Sequence, residues 1–166
     1  NVKFIIAPHN INKDQIADLK NQISKKTILF SSINFNDLDA SKLVEHDILI
    51  IDTIGILTKI YSYADIAYVG GGFGNPGVHN ILEPATFGVP IIIGPNYSHF
   101  AEATALVKMN GCISITNQEE MNETFDKLIQ NSDVRLEKGH ICSTFVEMNK
   151  NATEIIMNYI IQKKTN

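Results

Sequence analysis

Ala67-Tyr68-Val69-Gly70-Gly71-Gly72-Phe73-Gly74-Asn75-Pro76-Gly77-Val78-His79-Asn80-Ile81-Leu82-Glu83-Pro84-Ala85-Thr86-Phe87-Gly88-Val89-Pro90-Ile91-Ile92-Ile93-Gly94-Pro95 is the stretch on which the fold turns. An apolar run at 67–69 ends in three consecutive glycines. A polar elbow follows, holding Gly74, Asn75, Pro76, Gly77, His79 and Asn80. A short helical stretch carries Glu83, and a second apolar run at 90–93 stops at Gly94-Pro95. The order is strand, backbone-rich loop, helix, strand. In such an arrangement main-chain amides meet a phosphate or a sugar near a helix start.

The same alternation extends outward. Residues 2–7 are β-branched and aromatic and are closed by Pro8, which predicts a buried strand. Asn12 with Gln15 three residues on predicts a helix start, and Ile16, Leu19, Lys20 and Ile23 continue it. Strands are expected at 27–31 and 47–51, separated by a polar loop or turn of helix. The elbow Asp52-Thr53-Ile54-Gly55 then leads into a helix over 56–64 and the strand at 66–69. Beyond the central stretch, Ser98 or His99 starts a helix that stops at Asn110-Gly111. A strand at 112–115 follows, then a helix capped by Asn117, a helix over 132–150 despite Gly139, and a final helix to about Lys163. Short aliphatic strands alternating with helices predict an α/β, Rossmann-like parallel sheet of about six strands with helices on both faces. Ligands in such sheets bind at the C-terminal strand ends. The elbows at His9, Ser31, Asp52, Gly70 to Gly77 and Gly94 belong on that edge.

At 166 residues the chain is one domain by size. Its formal charge is −4 and no basic patch stands out, so nucleic acid is not an expected partner. Cys112 and Cys142 lie far apart with no Cys-x-x-Cys, which argues against a zinc site or a disulfide framework and suits a reducing cytoplasm. They are expected in the core, with a bridge between them left open. No apolar run reaches the ~20 residues of a membrane span, and there is no signal peptide. The chain starts at Asn1 and enters a strand almost at once, so we expect a piece of a longer protein.

Gly72-Phe73-Gly74-Asn75-Pro76-Gly77 is a literal G-x-G-x-x-G, yet it follows the fourth strand rather than the first. No acidic residue ends a strand about 20 residues on. Pro76 removes an amide that a pyrophosphate would use. A dinucleotide fingerprint is therefore rejected, leaving a ligand loop or a plain turn. Asn80 and Glu83 have the spacing of a capping box, and Pro84 suits a first helical turn. The same carboxylate could accept from two ribose hydroxyls, with His79 or Asn80 on a phosphate oxygen. His9, Ser31, Ser32 and His99 read equally well as loop or turn residues, and Asp52-Thr53 as a helix cap. No nucleophilic triad and no helical metal-binding His pair is present.

Taken together, Gly70-Gly71-Gly72-Phe73, Gly77-x-His79-Asn80-x-Leu82-Glu83-Pro84-Ala85, Gly88-x-Pro90 and Gly94-Pro95 resemble the 3-deoxy-D-manno-octulosonic acid (Kdo) transferases. Asp52-Thr53-x-Gly55, the segment from Tyr61 through Ala64-Asp65 to Gly71, and Phe100-x-Glu102-Ala103 also match. The likeness runs from about Val2 to Gly111 and is weak beyond. It implies the C-terminal, donor-binding half of a GT-B glycosyltransferase, a fold of two Rossmann-like halves. The implied donor is CMP-Kdo and the implied acceptor a lipid A precursor. The implied place is the cytoplasmic face of the bacterial inner membrane, with this piece itself soluble, and neither metal nor other cofactor is implied. The implied substrate-binding residues are His9, Ser31, Gly70, Gly71, Gly72, His79, Asn80 and Glu83, with Glu83 on the ribose. No catalytic residue is expected in this chain, because the family's base and membrane anchor lie in the N-terminal half. Alone it should bind nucleotide weakly and transfer nothing. Two departures concern the site. His9 stands where many members have an arginine, and His99 where an asparagine precedes Phe100.

Two rivals share the architecture: a half of a UDP-sugar 2-epimerase-type isomerase, and a non-catalytic nucleotide-sugar-binding module. The last helix, within 151–166, has Ile155, Ile156, Tyr159, Ile160 and Ile161 on a wide apolar face. It packs on its own sheet or docks onto an N-terminal half as a closing helix. Oligomeric state is not legible.

Overall fold

A computed structural model describes residues 2–37 and 43–164. They form two compact units, residues 1–57 and 58–166. Each has a three-stranded, all-parallel sheet, so the expected six strands are present as two groups of three.

In the first unit the strand order is β1 (Phe4–Ile6), β3 (Ile48–Ile50), β2 (Thr27–Leu29). Helix α1 (Lys13–Gln22) covers one face: Ile16 packs on Ile48 and Ile50, with Ile6, Leu19, Ile23 and Leu29 around them. Asn12 caps α1, its Oδ1 accepting from Asp14 N–H at 2.9 Å and Gln15 N–H at 3.3 Å. The first strand is less buried than its composition predicts. It is an edge strand of this sheet, and Phe4 and Ile5 stay 49% and 43% exposed. Only Ile6 reaches the α1 core.

In the second unit the order is β4 (Ala67–Val69), β5 (Ile91–Ile93), β6 (Cys112–Ser114). The helices are α2 (Leu57–Ile60), α3 (Leu82–Thr86), α4 (Ala101–Lys108), α5 (Gln118–Gln130), α6 (Ser132–Asn149) and α7 (Ala152–Lys164). The expected helix over 56–64 is only α2 followed by a 3-10 turn at Tyr61–Tyr63. The central strand shows why the sheet needs helices on both faces. Successive side chains of a strand point to opposite sides. Ile91 and Ile93 pack with Ala85 of α3, Ala103 and Leu106 of α4 and Cys142 of α6, whereas Ile92 packs with Ile115 and Leu128 of α5. All three isoleucines are fully buried, each worth roughly 1.5–3 kcal/mol of burial.

Helix α4 ends where the Asn110-Gly111 pair predicts. Asn110 adopts φ 68° and donates to Val107 O, and Gly111 donates to Leu106 O, closing the helix with an αL residue. Lys138 of α6 clamps this end, its Nζ donating to Asn110 O and Oδ1, both at 2.9 Å. Burial lowers the Lys138 pKa, with Lys127 adding to the effect. Cys112 and Cys142 are free and buried, as expected of core residues. Burial pushes both thiols up to about 12.

Candidate functional site

Parallel pairing puts the C-terminal ends of each unit's strands on one edge. In the first unit that edge carries His9, Ser31 and Asp52. Ser31 donates from N–H at 2.8 Å and from Oγ at 2.5 Å to the two carboxylate oxygens of Asp52. Partial burial pulls the Asp52 pKa up, but these bonds outweigh it and the net value is lowered. The hydroxyl proton of Ser31 is thus committed to tying β2 to β3, and only its lone pairs remain for a ligand. A carboxyl with a lowered folded pKa stabilises the fold above its unfolded pKa, ~3.9, and loses that contribution as pH falls through the folded value. The stability advantage of the native chain over Asp52→Asn should therefore be full at pH 7 and shrink below about pH 4. Urea melts at pH 7 and pH 3 check this; an advantage that grows on acidification would refute it.

In the second unit the edge carries the other six expected residues. The loop after β4 is built on itself. Gly74 N–H donates to Gly71 O at 2.9 Å, Asn96 N–H to Gly72 O at 2.9 Å and His79 N–H to Gly70 O at 3.0 Å. The N–H groups of Gly71 and Gly72 are engaged by no protein acceptor among the described residues. Gly71 has φ +91°, and a Cβ there would lie 2.3 Å from both Gly77 O and His79 Cδ2. No side chain fits, and the His79 ring lies directly over the Gly71 backbone. A Cβ on Gly77, φ +82°, would fall 2.3 Å from the Phe100 ring.

Asn80 and Glu83 interact, though not as a reciprocal capping box. Asn80 Oδ1 accepts from Leu82 N–H at 3.0 Å, and Asn80 Nδ2 donates to Glu83 Oε1 at 3.0 Å. The pairing is side chain to side chain because Ile81 has already turned into αR, bringing Leu82 N–H rather than Glu83 N–H to the Asn80 oxygen. Glu83 Oε1 is held, and Oε2 takes no hydrogen bond among the described residues. Burial first, and then the Glu83 charge, raises the Tyr61 pKa. Tyr61 lies in a segment that matches the Kdo transferase pattern, but nothing in spacing places it beside Glu83.

Two open clefts share Asn80 and Leu82. One, of about 220 Å³, adds Thr58, Glu83, Thr86 and Phe87. The other, of about 240 Å³, adds His79, Phe100, Glu102 and Ala103. Among the described residues no three His, Cys, Asp or Glu side chains gather as metal ligands do, and no helix is long and apolar enough to cross a membrane.

No family model matches the chain. Sequence comparison does find relatives. The chain is 35% identical over 121 residues to a 3-deoxy-D-manno-octulosonic acid transferase of Chlamydophila psittaci, covering 70% of the chain and 27% of that protein. It is 36% identical over 99 residues to the transferase of the same name from Aquifex aeolicus, covering 59% of the chain and 25% of that protein. This chain is a relative of the Kdo transferases. It spans about a quarter of the length of these relatives. Among solved structures, the C-terminal CMP-Kdo binding domain of WaaA from Acinetobacter baumannii superposes with a TM-score of 0.69 at 18% identity, over 86% of this chain and 72% of that one. The C-terminal domain of the glycosyl transferase LpcC from Francisella tularensis gives 0.50 at 17% identity, over 89% and 85%. The fold is thus that of glycosyltransferase C-terminal domains, as the GT-B resemblance implies.

Proposed function

We propose that this chain is the donor-binding half of an inverting glycosyltransferase, taking CMP-Kdo and passing Kdo to a lipid A precursor when joined to an N-terminal half. Glu83 carries the reading. A carboxylate pinned through one oxygen by Asn80, with the other unengaged in a cleft, is set to accept from a vicinal diol such as ribose. The donor's identity rests on the relatives. Helix α3 has only five residues, and its Leu82 N–H is already taken by Asn80. The phosphate contacts therefore fall to the Gly71 and Gly72 amides and to His79 rather than to the helix start. Negative charge grows on the CMP phosphate as the C–O bond to the sugar breaks. Donors preset at that phosphate lower the barrier. The acceptor hydroxyl's proton leaves to a base outside this chain, and inversion follows from attack opposite the departing CMP. No step is assigned to a metal.

His9 and Ser31 belong to the first unit and lie at the C-terminal ends of its own strands. On α7, Ile156, Met157, Tyr159, Ile160 and Ile161 are exposed, while the side chain of Ile155 lies outside the described residues. That face suits docking on an N-terminal half at the inner membrane's cytoplasmic side.

Titration of the ¹⁵N-labelled chain with CMP and with UMP tests the donor. CMP should shift resonances of residues 70–83 and bind more tightly than UMP. Binding of UMP without CMP would move the assignment to the epimerase-type reading.

A further inference from the structure

Glu102 belongs to the Phe100-x-Glu102-Ala103 helix start and has no part in holding a nucleotide at Glu83. It lines the 240 Å³ cleft together with His79, Asn80 and Phe100. Among the described residues it makes no hydrogen bond or ion pair. We propose that Glu102 is a specificity residue, accepting hydroxyls of the donor's sugar in this cleft; the inference rests on the donor-binding reading above.

A whole ligand of drug size fills ~300–1,000 Å³, so a cleft of this volume takes one moiety. Asn80 and Leu82 line both clefts. A nucleotide sugar with its ribose at Glu83 and its phosphate at His79 and the glycine loop has its base and its sugar left to place; the sugar, bonded directly to the phosphate, is the part delivered to the cleft that His79 itself lines. A carboxylate accepts hydrogen bonds and cannot donate them. It attracts a polyol and repels a sugar acid's own carboxylate, which leaves that group turned toward His79. Orientation is thereby set by one carboxylate and one imidazole in the same cleft. The Phe100 ring, seated against Gly77, supplies an apolar wall for the sugar's C–H face.

The test compares the native chain with Glu102→Ala and Glu102→Gln by NMR titration with CMP and with CMP-Kdo, alongside thermal midpoints. Expected are CMP affinities within twofold of native for both variants. CMP-Kdo affinity should fall about tenfold or more for Glu102→Ala, the loss typical of hydrogen bonds to a charged group, and less for Glu102→Gln. Glu102→Ala that binds CMP-Kdo as well as or better than the native chain overturns the inference, and so does equal loss of both ligands. If the native chain binds CMP and Glu83→Ala abolishes that binding, the donor reading survives such a result. If the native chain binds neither ligand, both fall.

Discussion

Gly139→Ala is expected to destabilise the chain by about 3 kcal/mol or more, the upper range for overpacking a tight contact. Helix propensity alone expects the opposite, a gain of about 1 kcal/mol for replacing a glycine inside a helix. The sign is decided by what the glycine touches. A Cβ at Gly139 would lie 2.0 Å from Gly88 O and 3.0 Å from its carbonyl carbon. Gly88 is the αL residue that ends α3, with Gly88 N–H on Ala85 O and Val89 N–H on Pro84 O. Helix α6 cannot withdraw, because on either side of Gly139 it buries Lys138 on Asn110 and Cys142 in the core. At about 2–4 °C per kcal/mol for a chain of this size, the thermal midpoint should fall by about 6–12 °C. Leu136→Ala on the same helix, where the side chain is 70% exposed, should stay within ~0.5 kcal/mol. A midpoint that holds or rises in Gly139→Ala would refute the backbone contact.

Glu83→Ala is expected to weaken CMP binding tenfold or more. Hydrogen bonds to a charged acceptor contribute about 1.5–3 kcal/mol each, and tenfold is about 1.4 kcal/mol. Asn80→Ala should cost less, because it removes the tether from Oε1 and leaves the carboxylate. The ribose assignment has its own check. 2′-Deoxy-CMP should bind the native chain more weakly than CMP, and Glu83→Ala should weaken it less than it weakens CMP, because only the 3′-hydroxyl is left to lose its acceptor. If the variant loses both nucleotides to the same extent, Glu83 serves the loop rather than the sugar. If it loses neither, the ribose role is wrong.

How far the site could be read in advance differs from residue to residue. The glycine loop and Asn80-x-x-Glu83 stand out because their chemistry is local: a left-handed turn needs glycine, and residues three apart at a helix start meet. Even so, the local rule named the wrong hydrogen bond, since Leu82 N–H rather than Glu83 N–H reaches Asn80 Oδ1. Ser31 could be placed on the ligand edge, but its bond to Asp52 joins the ends of two strands that are 21 residues apart. Tyr61 and Glu102 gain their places only from the tertiary structure, one within the field of the Glu83 charge and the other in the cleft of His79.

The sequence by itself determined the alternation of strands and helices, the parallel pairing and the strand ends at which the candidate residues lie. These follow from period, caps and apolar runs, each set within a few residues of chain. The tertiary structure alone decided three other matters: that the strands assort into two sheets of three, that β1 is a half-exposed edge, and that Gly139 is required rather than merely tolerated. Each depends on which surfaces meet across long separations. A glycine's missing side chain says nothing about the carbonyl that will occupy its place until α6 is laid against the end of α3.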